Sequence, residues 1–104
     1  MEKTVVVTLG GKEYLATQLT DAEQCEVARM MPAVKASDFP ENTAALLEVL
    51  EVICASIRRT GSDITVEEVT KQWTVFAAVG VLEAVNTLLQ FTVMNELPGG
   101  ATIQ

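Results

Sequence analysis

The stretch Thr4-Val5-Val6-Val7-Thr8-Leu9-Gly10-Gly11, followed by Tyr14-Leu15-Ala16-Thr17-Gln18-Leu19, decides the fold class of this chain. Residues 4–9 alternate β-branched and apolar side chains, and residues 14–19 form a second run of that kind, so each reads as a strand. Gly10 and Gly11 between them can adopt the positive φ values of a tight turn, which makes the pair a β-hairpin. Lys12 and Glu13 fall either in the second strand or in a slightly longer turn. Strand alternation puts Val5, Val7 and Leu9 on one face and Thr4, Val6 and Thr8 on the other. A lone two-stranded hairpin is marginal in water, so this one must pack on helices or on another copy.

The rest of the chain reads as helices. Thr20-Asp21-Ala22-Glu23 has the Thr-x-x-Glu spacing of a capping box. It opens a helix that runs to about Met31, where Pro32 stops the hydrogen-bond ladder. Cys25, Ala28 and Met31, with Val27 beside them, are the expected apolar face. Residues 33–41 form a loop that Phe39 anchors. Asn42 or Thr43 caps a second helix running to about Thr60. Its apolar residues include Leu46, Val49, Leu50, Ile53, Cys54 and Ile57, while Glu48, Glu51, Ser56 and Arg59 make its polar side. Arg58 and Arg59 suit the negative end of the helix dipole, and Gly61 sits where a C′ residue belongs. Thr65-Val66-Glu67-Glu68 is a second capping box, opening a short helix with Val66, Val69 and Trp73. A last helix spans about Val75 to Met94 and is apolar nearly all round, so it is expected to be buried on most of its surface. Its length fits a membrane span, but Glu83 near its centre would cost roughly 2.5–3.5 kcal/mol on insertion, and no Lys or Arg flanks it after Lys71. The expected architecture is α+β, mainly α: an N-terminal β-hairpin packed on about four helices. Residues 1–96 form a single domain and 97–104 a flexible C-terminal tail.

Composition narrows the function classes. The 104 residues are 49% apolar and carry 14 acidic against 7 basic side chains, a formal net charge of −7. That acidity disfavours nucleic acid as a partner, and the apolar content disfavours disorder. Histidine is absent, which removes the commonest general base and metal ligand. Cys25 and Cys54 lack metal-ligand spacing and read as two buried free thiols, with a disulfide as the alternative. Glu48 and Glu51 share a helix face, and Asp63, Glu67 and Glu68 cluster near a helix start; both groups read as solvated carboxylates rather than as an acid–base pair or a cation site. Gly10-Gly11 and Gly99-Gly100 lack the Lys-Ser/Thr and following helix of a phosphate loop. No enzyme chemistry, metal or cofactor is expected. What remains is excess apolar helix surface, which points to protein partners.

The order of motifs carries a resemblance. Leu19-Thr20-Asp21-Ala22-Glu23 follows the hairpin, and Ile57-Arg58-Arg59-Thr60-Gly61 closes a Leu/Val-rich helix. Asp63-Ile64-Thr65-Val66-Glu67-Glu68 comes next, then a long apolar helix ending near Met94-Asn95. Over residues 3 to 95 this resembles the tail assembly chaperones of long-tailed phages, the family of the lambda G protein. The resemblance implies a protein that coats the aggregation-prone tape measure protein and helps recruit tail tube subunits through a frameshifted longer form. It implies action in the host cytoplasm and absence from the mature virion, with no catalytic residues. On this reading the client surface is Trp73, Phe76, Val79, Leu82, Val85 and Leu89, with Arg58 and Arg59 as the exposed cations. A homo-oligomer is expected, with the hairpin edge as one route to it, and no membrane partner. Gly99-Gly100 is a candidate ribosomal slippage site. The alternatives are a small structural tail component of terminator or connector type, or another acidic protein-binding module.

Overall fold

A computed structural model describes residues 3–96; the tail expected at 97–104 and the Gly99-Gly100 pair lie outside the described residues. The architecture is α+β and mainly helical: two antiparallel strands, β1 (Thr4–Leu9) and β2 (Lys12–Thr17), then α1 (Asp21–Met30), α2 (Thr43–Arg58), α3 (Val66–Val69) and α4 (Val75–Glu96). Gly10 and Gly11 have φ of 58° and 79°. Positive φ at both loop positions is what a two-residue type I′ connection requires. So short a turn fixes the register at Leu9↔Lys12 and Thr4↔Thr17. Lys12 and Glu13 therefore belong to β2, and Gln18 and Leu19 lie beyond it. Val7 and Leu9 are buried and Val5 half-buried, while Thr4, Val6 and Thr8 are exposed, as alternation demands.

The Thr20 capping box closes in both directions. The Glu23 N–H donates to Thr20 Oγ1 at 3.2 Å, and the Thr20 N–H donates to Glu23 Oε1 at 3.0 Å. α1 gives way to a 3₁₀ turn, Met31–Ala33, with Pro32 in its first positions. The inward face of α1 differs from the expected one: Val27 and Met30 are buried, whereas Cys25 and Ala28 are exposed. Val27 and Met30 stand three apart, so one rotation of the helix buries both. That rotation leaves Cys25 on the outside, a correction to the expectation of two buried thiols. Both cysteines are free.

α2 is the central element. Leu46, Val49, Leu50, Ile53, Cys54 and Ile57 are buried within it, and α1, β2, α3 and α4 all pack on it. Asn42 precedes α2 without capping it by side chain. Its Nδ2 donates instead to the Ala33 and Lys35 carbonyls, tying down the preceding loop. Ser56, expected on the polar side, is fully buried. It turns inward because β2 supplies its hydrogen-bond partners, as a buried hydroxyl requires.

α4 packs on β1 and α2. It buries a stripe of Ala78, Val81, Ala84, Val85, Leu88 and Thr92. Burial over most of the helix surface, as expected from its composition, is not found. Two packed elements cover one side of a helix, and the side facing away keeps Val75, Phe76, Val79, Val93 and Met94 exposed. By length and composition alone α4 is also apolar enough to cross a membrane.

Candidate protein-binding surface

The six apolar residues expected to meet a client separate into three groups. Val85 is fully buried at 0% exposure; it faces the molecule's own core and is removed from the surface. Trp73 precedes α4 and turns inward. Its indole N–H donates to Thr43 Oγ1 at 3.0 Å, and its ring lies 5.8 Å from that of Phe39 at an interplanar angle of 60°. That tilted pair pins the 33–41 loop, giving Phe39 the anchoring role expected of it and Trp73 a structural one. Phe76, three positions on, does not share its face: it is 83% exposed. Helical spacing fails here because α4 starts only at Val75. Val79 is exposed, and Leu82 and Leu89 are half-buried along the edge of the core.

Phe76, Val79, Leu82 and Leu89 thus share an outward side of α4. The structure adds Val75, Val93 and Met94, helix residues that the sequence assigns to no surface. Leu89, Gln90, Val93 and Met94 line a shallow depression of 340 Å³. The signal for these additions was present as spacing: Val75, Val79, Leu82, Leu89 and Val93 lie on one side of a 3.6-residue helix. A second, smaller apolar exposure is the outer hairpin face, where Val6 pairs across the strands with Leu15.

Neither arginine stands as an uncommitted cation. Arg59 clamps Glu23 bidentately, Nη1 to Oε2 and Nη2 to Oε1 at 2.9 Å each. Its Nε donates to Thr17 Oγ1 and its Nη2 to the Gln18 carbonyl. Arg58 Nη1 donates to the Ile64 carbonyl at 3.1 Å, fastening the turn after α2. Both brace the fold, and both remain exposed on the surface. Burial by itself would raise the Glu23 pKa, but the hydrogen bonds from Arg59 and the Thr20 backbone, with the Arg59 charge, outweigh it and hold the pKa below 4.5.

The acidic candidates stay on the surface. Glu48, Glu51, Asp63, Glu67 and Glu68 are all exposed, and Glu48 lies 3.6 Å from Arg29. Among the described residues no group of three or more His, Cys, Asp or Glu side chains is placed to hold a metal ion. An open cleft of 560 Å³ at the exit of β2 is lined by Lys3, Thr17, Gln18, Leu19, Thr20, Arg59 and Asn95. Cys54 is buried, and that burial pushes its thiol up to about 11, with Arg58 lowering it slightly and Glu51 adding to the rise. A thiol so placed is a poor nucleophile. None of the known protein families, curated proteins or solved structures matches the chain.

Proposed function

We propose that the chain is a non-catalytic assembly chaperone of the phage tail type, which holds a long helical client, the tape measure protein, in solution. The observation that carries this reading is the outward side of α4, where Phe76 is 83% and Val93 51% exposed on a molecule of net charge −7. Exposed large apolar side chains in line along a helix suit the apolar face of a client helix. A strongly acidic body keeps their carrier soluble. The client surface on this reading is Phe76, Val79, Leu82, Leu89, Val93 and Met94. The motif order over residues 3 to 95 supports the same reading. Tail tube subunits enter as a further partner through a longer, frameshifted form, and the host cytoplasm is the place of action.

The test begins in the gene. A slippery heptamer at the Gly99-Gly100 codons, an overlapping frame and then a very long helical frame are expected. Co-expression with that long product should keep it soluble. Phe76→Glu, at a site that carries no core packing, should reduce the soluble client several-fold without changing the helical content of the chain. A downstream region with no such frame, or a client equally soluble without this chain, overturns the reading.

A further inference from the structure

Val75, Val79, Leu82, Asn86, Leu89 and Val93 stand at successive intervals of 4, 3, 4, 3 and 4 residues along α4. That is the heptad spacing of a coiled-coil seam. Val79, Asn86 and Val93 take the a positions; Val75, Leu82 and Leu89 take the d positions. The seam is open to solvent: Val75, Val79, Asn86 and Val93 are exposed, and Leu82 and Leu89 half-buried. Leu82 and Leu89 also pack against the edge of the chain's own core, whereas Val75, Val79 and Val93 are exposed. The inner stripe of Ala78, Val81, Ala84, Val85 and Leu88 already anchors the helix to β1 and α2.

We propose that two copies of this chain associate through this seam as a parallel, two-stranded coiled coil. Three features select a second copy as the occupant. First, β-branched residues at a with Leu at d favour parallel dimers, a pattern met here by Val79 and Val93 at a and by Leu82 and Leu89 at d, with Val75 the one departure; a single Asn at a sets register and chain number at some cost in stability. Asn86 sits at the middle a position, and its natural partner across a two-fold axis is Asn86 of the other copy. Second, two molecules of net charge −7 repel each other over most of their surfaces. Between Lys71 and Glu96 the only charged residue is Glu83. Glu83 occupies an e position, so in a parallel pair the two Glu83 carboxylates lie on opposite edges of the seam. An antiparallel pair would bring e against e and set the two Glu83 carboxylates against each other. Third, the seam lies roughly 110° around α4 from the centre of the buried stripe, counting 3.6 residues per turn. A two-fold axis along a parallel pair then places the two bodies on opposite sides of the helices. An antiparallel pair places both on the same side, where an interaxial distance of about 8–10 Å crowds bodies at least 24 Å across.

The seam shares Val79, Leu82, Leu89 and Val93 with the proposed client surface, so a client helix displaces the second copy; the association itself is measured on the purified full-length chain with no client present. Sedimentation equilibrium is expected to give twice the 11.2 kDa chain mass, with tighter association as salt screens the like charges. The double variant Val79→Glu/Val93→Glu changes two exposed seam residues and should weaken association at least about tenfold, 1.4 kcal/mol or more, with an unchanged circular dichroism spectrum. Asn86→Val should tighten association and admit species above the dimer. With Cys25→Ser as background, Asn86→Cys should cross-link to a disulfide dimer under mild oxidation, since the parallel in-register pair brings residue 86 against its own counterpart, whereas the antiparallel pair with Glu83 against Glu83 sets it opposite Gly80. A monomer at about 100-fold the concentration expected for micromolar dimers overturns the proposal. So does a dimer that survives Val79→Glu/Val93→Glu, which would place the interface elsewhere, the hairpin edge included. Failure of the residue-86 cross-link in a sample that sediments as a dimer overturns the parallel arrangement.

Discussion

Ser56 Oγ donates to the Thr17 carbonyl at 2.6 Å and accepts from the Thr17 N–H at 2.9 Å. One hydroxyl thereby pairs with both the N–H and the C=O of Thr17, the residue where β2 ends. Arg59, three residues on, continues the line to Thr17 Oγ1 and Glu23. Strand end, helix end and the first turn of α1 are tied by four side chains. Glu23 gives this cluster a pH signature. Its folded pKa lies below 4.5, so the stabilisation is complete above the unfolded value and is lost as pH falls through the lower folded value. Glu23→Gln is expected to cost about 1 kcal/mol near neutrality, a modest figure because the pair is partly solvated. The gap between variant and wild type in denaturant unfolding should close once the pH drops below the ordinary carboxylate range. A gap independent of pH would show that the carboxylate charge contributes nothing.

At the scale of elements, α4 shows how far pattern can be read. Its existence, its length and the hairpin with its Gly-Gly turn were legible, because each rests on local chemistry: caps, positive φ, and an unbroken helical run. Its rotation was not. A helix apolar nearly all round carries no phase in its sequence, so Val85 read as surface and Val93 stayed unassigned until β1 and α2 chose which stripe to cover. Ser56 went to the wrong side of α2 for a related reason: its partner, Thr17, is 39 residues away, beyond any local window. Thr92 is the same kind of residue. It is fully buried in α4, and its Oγ1 accepts from the Leu19 N–H at 3.0 Å. Thr92→Val keeps the shape and removes the acceptor. It should cost about 1–3 kcal/mol, the desolvation cost of an orphaned buried amide, while the nearly isosteric change leaves the packing of Leu88 intact. Amide exchange should speed up at Leu19 first; equal exchange at that site in both proteins would show that the bond adds nothing.

For the whole molecule, the buried residues form one continuous core from the hairpin through α1 and α2 to α4, so opening is expected to be cooperative. The two cysteines make this measurable without labels. Cys25 is exposed and Cys54 is buried in the C-terminal half of α2, its thiol raised to about 11 by burial. One equivalent of a maleimide should react promptly, at Cys25. The second should react only at the rate of global unfolding, with the same denaturant dependence as the loss of helix. Prompt reaction of both thiols would show that α2 opens locally and that the core is not a single unit.

The bond between Leu19 and Thr92 also sets an order in time. These residues are 73 positions apart, and α4, which covers the inner face of β1, comes after every other described element. A ribosome adding roughly 5–20 residues per second makes Thr92 about 4–15 s after Leu19. Throughout that interval the strand end and the face holding Val7 and Leu9 stand uncovered. A fold whose first described element is closed by its last thus passes through an interval in need of the kind of shelter that we propose it gives to another protein.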